Sequence, residues 1–118
     1  MKRFFTALFC LFTIALQAQN YNLTLRSTLP YNGVLANIGG YVDGQGNEYA
    51  LVGYEFGLSI VDVTDPDNPI EKFVVNGPQS IWREVKTWQE YAYVTTEGGN
   101  SGLQIIDLSD LPNSVNSK

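Results

Sequence analysis

The sequence predicts an all-β fold made of β-propeller blades, and three observations support this prediction. A nine-residue motif occurs twice, at residues 57–65 and 102–110, in the order Gly, Leu, polar, Ile, β-branched, Asp, aliphatic, hydroxyl, Asp. Turn residues separate short β-type segments around each copy, giving about four strands in every 40–50 residues, the spacing of a propeller blade. Beyond the N-terminal segment there is no helical periodicity. We therefore expect four-stranded antiparallel blades, about one and a half to two of them, in an incomplete propeller.

The N-terminus has the pattern of a secretory signal peptide over residues 1–18. Lys2 and Arg3 precede an uncharged apolar run over residues 4–16, and small or polar residues end it. The alternative is a transmembrane anchor, but a spanning helix needs about 20 apolar residues and this run is shorter. We expect cleavage after Ala18 or Gln19 and no membrane insertion of the mature chain. The expected location is extracellular or at the cell surface, associated with the outer membrane.

The composition excludes several kinds of chemistry for a mature chain. The sequence has no histidine, and its single cysteine, Cys10, falls within the predicted signal peptide. Without these two residue types there is no thiol nucleophile, no histidine base and no thiolate or imidazole zinc site. The formal net charge is −5, and the loss of Lys2 and Arg3 makes the mature chain more acidic. We therefore expect no nucleic-acid partner, and we expect no cofactor.

The elements follow in order after the signal peptide. Residues 19–30 are predicted to form an N-terminal strand, because Leu23 and Leu25 alternate with polar residues. Residues 31–78 are expected to form a first blade and residues 79–118 a second, truncated one. Each motif copy supplies the third strand of its blade and is apolar on both faces, as in a strand buried between neighbouring blades. The other predicted strands cover residues 38–42, 49–53, 70–75, 81–86 and 90–94, with a turn at residues 87–89.

The core of the motif resembles the LVIVD repeat, a propeller-type repeat of secreted and surface bacterial proteins. That core stands here as Leu58-Ser59-Ile60-Val61-Asp62 and Leu103-Gln104-Ile105-Ile106-Asp107. The wider pattern, through residues 48–53, 82–86 and 91–94, is similar to the choice-of-anchor B group of Bacteroidota-type surface proteins. The resemblance covers residues 20–112. It implies a propeller with a C-terminal anchor or sorting region, and it implies no particular activity.

The chain is short for the fold that it predicts, because a closed propeller needs about four to eight blades. The second repeat stops at Lys118, shortly after the point where we expect its fourth strand to begin. We therefore interpret the chain as the N-terminal fragment of a longer protein, whose N-terminal strand could close the ring by completing the last blade. The alternative is a natural two-blade protein, which would leave strand edges and blade faces open to water.

One acidic cluster has the composition of a calcium site. Asp62, Asp65, Asp67 and Asn68 place hard oxygen ligands close together along the chain. The second copy of the motif keeps both of its aspartates but has no counterpart of Asp67. Since Asp and Asn also bond to their own backbone and start turns, we interpret the cluster as turn chemistry and expect no metal site.

Four residues are candidates for ligand binding. Trp82 and Arg83 fall on the predicted innermost strand of the second blade, where Arg83 could hold a carboxylate or phosphate and Trp82 could stack on a ligand. Glu55 and Glu97 occupy equivalent positions in the two blades and could serve acid–base chemistry if they converged. The structural alternatives are a Trp82 wedged between blades, an Arg83 paired with an acid, and solvated glutamates. No residue is assigned a catalytic role.

The sequence thus favours an exported scaffold that binds or adheres to an extracellular protein or glycan. No nucleophile–base set is evident in it. The alternative is a secreted propeller enzyme of glycosidase or lyase type, in which channel carboxylates act on the substrate.

Overall fold

The computed structural model describes residues 22–99 and 102–118, which form two four-stranded antiparallel sheets. The strands follow the chain within each sheet, so that their order is β1-β2-β3-β4 and β5-β6-β7-β8. Their bounds are β1 (Leu35–Val42), β2 (Glu48–Tyr54), β3 (Gly57–Asp62), β4 (Ile70–Asn76), β5 (Arg83–Trp88), β6 (Tyr91–Thr96), β7 (Leu103–Asp107) and β8 (Asn116–Ser117). The predicted all-β fold with four-stranded antiparallel blades is confirmed.

Short turns set the register of the first sheet. The turn between β2 and β3 pairs Tyr54 with Gly57, which places Leu51 opposite Ile60 on one face of the sheet. Between β3 and β4, the Asp62 carboxylate accepts a hydrogen bond from the Thr64 backbone N–H at 3.0 Å. Asp107 makes the equivalent bond to the Ser109 N–H at 3.0 Å in the second sheet. The repeated aspartate of the motif therefore closes an Asx turn at the end of the third strand.

The two sheets pack face to face through apolar side chains. The first sheet contributes Tyr49, Leu51, Leu58 and Ile60, and the second contributes Val85, Ala92, Val94 and Ile106, all of them buried. Glycines allow the sheets to come close at β5, because a Cβ atom at Gly53 would lie 3.2 Å from Val85 Cγ2. The Thr87 hydroxyl donates to the Gly40 carbonyl at 3.2 Å across the same interface. The packing is strongest between β1, β2 and β5, at the inner side of both sheets.

Three details differ from the sequence-based expectations. Residues 22–30, the described part of the predicted N-terminal strand, form no strand; instead Arg26 pairs with Asp67 and the Ser27 hydroxyl donates to the Pro66 carbonyl. The turn predicted at residues 87–89 is displaced, because Thr87 and Trp88 pair with β6 and the chain turns at Gln89, where φ is 51°. A short fourth strand, β8, is present in the second sheet, where it pairs with the end of β7.

The predicted signal peptide, residues 1–18, lies outside the described residues. None of the described residues belongs to a helix with the length and hydropathy required to cross a membrane.

Candidate functional site

Arg83 is the first residue of β5, and it joins the two sheets. Its side chain is 5% exposed, and burial lowers the pKa of the guanidinium. Nε donates to the Tyr54 carbonyl at 3.0 Å, and Nη2 donates to the Pro78 carbonyl at 2.6 Å. Gly77 passes close beside it, since a Cβ atom there would lie 2.9 Å from Nη1. Arg83 thus fastens the start of the second blade to the end of β2 and to the linker between the blades.

The acid expected as the partner of Arg83 is not found in the described part of the chain. The ion pairs there are Arg26–Asp67 and Lys86–Glu84. Backbone carbonyl oxygens take the place of a carboxylate, because they can satisfy a guanidinium in a tight gap between two sheets without adding a second side chain. Arg83, the candidate for binding an anion, therefore uses two of its donor groups in hydrogen bonds that stabilise the fold.

Trp82 precedes β5 and does not wedge between the blades as the structural alternative required. Its side chain is 66% exposed. The Ser80 hydroxyl fixes the local backbone, accepting from the Trp82 N–H at 3.0 Å and donating to the Trp82 carbonyl at 3.1 Å. The indole borders a cleft of about 440 Å³ between the first strands of the two sheets. The cleft is lined by Leu35, Ala36, Asn37, Ile81, Trp82, Arg83 and Glu84.

The cleft also contains polar groups that a ligand can reach. The Asn37 side-chain oxygen accepts from the Val85 N–H at 3.3 Å, which leaves the amide N–H groups of Asn37 available. The Glu84 carboxylate is half exposed and is paired with Lys86. An aromatic face, an amide and a carboxylate therefore surround one concave surface, a combination typical of sites for polar ligands with apolar faces.

Glu55 has a structural role in the turn between β2 and β3. Its Oε1 accepts from the Gln79 side-chain amide at 2.7 Å, and its Oε2 accepts from the Val34 N–H at 3.4 Å. Its backbone N–H donates to the Val34 carbonyl at 2.9 Å, and its carbonyl accepts from the Ser80 N–H at 2.9 Å. This residue holds the segment before β1 and the linker between the blades against one turn.

Glu97 is exposed on the link that follows β6, and it makes no hydrogen bond or ion pair to Glu55, Trp82 or Arg83 within residues 22–99 and 102–118. Its neighbour Gly98 passes close to the same linker, since a Cβ atom there would lie 2.6 Å from the Gln79 carbonyl oxygen. The two glutamates thus flank the linker between the blades.

The oxygen-rich cluster of the first motif is occupied by turn and ion-pair contacts. Asp62 accepts from Thr64, Asp65 accepts from the Asp67 N–H at 3.0 Å, and Asp67 is paired with Arg26. Among the described residues, no group of three or more acidic, cysteine or histidine side chains is placed to hold a metal ion.

Sequence reasoning missed two buried polar groups. Ser59, fully buried in β3, donates to Glu71 Oε1 at 2.6 Å, and its oxygen lies 2.9 Å from the Tyr31 hydroxyl. The sequence signal for this site was Ser59 itself, a polar residue inside an otherwise apolar strand. Asp43 lies in the turn after β1, and the Tyr49 hydroxyl donates to it at 3.1 Å.

The pKa values of Asp43 and Tyr49 are shifted in opposite directions. Burial alone raises the pKa of Asp43, but the hydrogen bonds from Asn47, Gln45 and Tyr49 outweigh it and hold this pKa below its usual range. Burial, together with the bond to Asp43, raises the pKa of Tyr49 to about 12. The pair therefore remains a carboxylate and a neutral phenol at ordinary pH.

The similarity of the chain to a known family rests on the two repeats. The LVIVD repeat matches residues 45–77 and again residues 83–116, which together make up more than half of the chain. Comparisons with curated proteins and with solved structures gave no match. The similarity to the choice-of-anchor B group stays a prediction. Each matched segment contains three strands of one sheet, including the strand of its motif, so sequence and structure agree on a β-propeller-like repeat, and the chain belongs to the LVIVD repeat family.

Proposed function

We propose that this chain is an exported propeller-type scaffold that binds a neutral glycan at the Trp82 cleft. The observation that carries the proposal is the exposure of the Trp82 indole, which is 66% accessible beside a cleft of about 440 Å³. An exposed indole held in a fixed position offers a flat apolar face against which a sugar ring can stack. Membership of the LVIVD repeat family supports the scaffold role, since repeat proteins expose extended binding surfaces.

The polar groups of the cleft favour a neutral ligand over an acidic one. The Arg83 guanidinium lines the cleft but is buried and bonded to two carbonyl groups, so two of its donor groups are not available to an acidic ligand. Glu84 carries an exposed carboxylate at the cleft wall and would repel an anion, whereas it can accept hydrogen bonds from sugar hydroxyls. The Asn37 amide can donate to the same ligand. This division of roles matches a ligand with many hydroxyl groups and no charge.

The binding proposal is tested by titrating the full chain with a panel of neutral oligosaccharides in isothermal titration calorimetry. Trp82→Ala is expected to weaken binding at least about tenfold, the effect of losing an aromatic anchor at an interface. Trp88→Ala is the matched control, because Trp88 is 69% exposed at the opposite end of β5 and is expected to leave the affinity unchanged. Equal affinity in the Trp82→Ala variant would refute the site.

Export is proposed from the N-terminal pattern of residues 1–18. Its test is the N-terminal sequence of the protein recovered from outside the cytoplasm of an expressing bacterium. A mature N-terminus after Ala18 or Gln19 is expected, and a chain that keeps Met1 in the cytoplasmic fraction would contradict export.

The enzyme alternative depends on Glu55 and Glu97. The Glu55 carboxylate is bonded to Gln79 and to the Val34 N–H, which is a structural use of both oxygens. No observation favours acid–base chemistry at these glutamates, so the scaffold is the function that the site supports best.

A further inference from the structure

The outer face of the second sheet carries large apolar side chains with nothing packed on them. Trp88 is 69% exposed, Leu103 is 49% exposed, and Tyr91 is also exposed. The charged residues of this face, Glu84 and Lys86, are paired with each other. An exposed apolar cluster of this kind marks an interaction surface in a folded protein.

Each of these residues has a counterpart in the first sheet that is buried or partly buried against the second sheet. Trp88 pairs with Tyr91 across the β5–β6 turn just as Tyr41 pairs with Tyr49 across the β1–β2 turn. Leu103 is the second residue of its motif copy, as Leu58 is of the first. Tyr49 and Leu58 are 2% and 0% exposed. The outer face of the second sheet thus repeats the face with which the first sheet binds its neighbour.

Tyr41 shows what Trp88 would contact in such an interface. Tyr41 packs against the core cluster that includes Ala92 and Leu108 of the second blade. Its hydroxyl lies close enough to Glu90 and Asp107 for their charges to add to the effect of burial on its pKa. The receptor for this aromatic side chain is therefore a small apolar surface with carboxylates at its rim.

The first sheet carries the same receptor on its own outer face, and there it is open. A hollow of about 400 Å³ lies on this side of the sheet, with Gly40, Val42, Ala50, Val63 and Glu48 among its lining residues. Ala50, Val63 and Glu48 correspond to Ala92, Leu108 and Glu90 in the second blade. Val42 is 59% exposed, and a Cβ atom at Gly40 would have no atom within 4 Å.

The segment before β1 leaves this hollow free. It crosses the same outer face beside the hollow, where the Tyr31 hydroxyl meets Ser59 and the Tyr31 ring meets Tyr54, and it ends at Arg26, which meets Asp67 beyond the end of β3. Val52, Ser59 and Val61 are buried on this face, whereas β1 is accessible there, with Ile38 67% and Val42 59% exposed.

We propose that Trp88 of one copy of this chain inserts into the Val42 hollow of a second copy, so that the β5 side of the second sheet of one copy packs on the β1 side of the first sheet of the next. A second copy is the occupant because every chain carries both halves of the interface and already joins the same two kinds of face internally. The indole is larger than the phenol of Tyr41, and Gly40 provides the additional room. Such a head-to-tail contact closes into a ring if the rotation permits and otherwise extends into a filament.

The test is sedimentation velocity on the full purified chain over a wide concentration range. The wild type is expected to self-associate, and Trp88→Ala is expected to weaken the association about thirtyfold. Val42→Asp, which places a charge in the hollow, is expected to have the same effect. Trp82→Ala is the matched control and should associate like the wild type, which separates this surface from the glycan cleft. Near-ultraviolet circular dichroism establishes that each variant is folded.

Mixing the two variants distinguishes the head-to-tail contact from a symmetric one. The Trp88→Ala chain keeps an intact hollow and the Val42→Asp chain keeps an intact Trp88, so an equimolar mixture should form a one-to-one dimer that does not grow. A monomeric wild type, a Val42→Asp chain that still associates, or a mixture that stays monomeric would each overturn the proposal.

Discussion

Gly57 begins β3 and lies directly against the backbone of β4. A Cβ atom added at Gly57 would lie 2.2 Å from the Val75 carbonyl oxygen and 3.0 Å from the Asn76 Cα. These are backbone atoms fixed by the pairing of Gly57 with Asn76, so they cannot move aside as the end of a flexible side chain would. We therefore predict that Gly57→Ala separates the start of β3 from the end of β4.

The magnitude follows from the size of the clash. To restore an ordinary contact, the strands must move apart by about 1 Å, and overpacking of this kind costs about 1–3 kcal/mol. Because both clashing partners are backbone atoms, we expect the free energy of unfolding to fall by the upper end of this range, about 3 kcal/mol. For a domain of this size each kcal/mol lowers Tm by about 4–8 °C, so the expected loss is about 12–24 °C.

The assay is thermal and urea unfolding of the full chain, followed by circular dichroism. Gly102→Ala is the matched control, because Gly102 occupies the same position in the second motif copy. A Cβ atom at Gly102 meets nothing within 4 Å, but its φ is +61°, in the left-handed region, where a non-glycine residue costs about 1–2 kcal/mol. If Gly57→Ala melted at or above the temperature of Gly102→Ala, the clash argument would be refuted.

Three further variants test contacts in the fold. Arg83→Met removes the donors to two carbonyl groups, and the free energy of unfolding should fall by about 2 kcal/mol, less than two charged hydrogen bonds because an unpaired buried charge is also removed. Val85→Ala opens a cavity between the sheets, so the free energy of unfolding should fall by about 2 kcal/mol while unfolding in urea remains a single transition. Two separate transitions would contradict the packing of the two sheets into one core. Because the pKa of Asp43 is lower in the folded state than the unfolded value of about 3.9, its carboxylate stabilises the fold above that value, and this stabilisation is lost as the pH falls through the folded pKa. Asp43→Asn should therefore narrow the difference between the urea midpoints measured at about pH 7 and about pH 3.

The repeat made the fold predictable from the sequence. A motif with a glycine before the strand and an aspartate after it fixes both ends of the third strand, because Gly57 permits close backbone approach to β4 and Asp62 closes the Asx turn. The strands next to the motif followed from turn residues. The end of the first strand of the second blade was predicted less accurately. Trp88 was expected in a turn, but it pairs with Tyr91 inside the sheet.

The N-terminal strand over residues 19–30, expected to complete the last blade, stays a prediction: residues 22–30 form no strand with the described residues, because alternation alone does not create a partner. Leu23 and Leu25 have the pattern of a strand, yet both remain more than 80% exposed and pair with no neighbouring strand in the described residues. A period of two shows which residues would share a face, but pairing also needs an adjacent edge with unused donors and acceptors.

The candidate site was only partly predictable for a related reason. The sequence placed Trp82 and Arg83 together on an inner strand, but the strand begins only at Arg83, whose side chain lies on the face toward the first sheet. Arg83 therefore turns into the gap between the sheets, where the carbonyl groups of Tyr54 and Pro78 are available, while Trp82 stays in solvent. The identity of those carbonyl partners depends on the path of the linker, which residue types do not specify.

The two blades also show how one sequence position acquires two roles. Leu58 and Leu103 hold the same place in the motif, yet the first is 0% exposed in the core and the second is 49% exposed. The difference comes from the neighbours, because a sheet packs on the face of Leu58 and no described residue packs in the same way on the face of Leu103. Side-chain chemistry that is required for burial in one blade therefore becomes a surface available for recognition in the other. The motif determines the shape of each blade, and the number of blades in contact determines which of its residues are core.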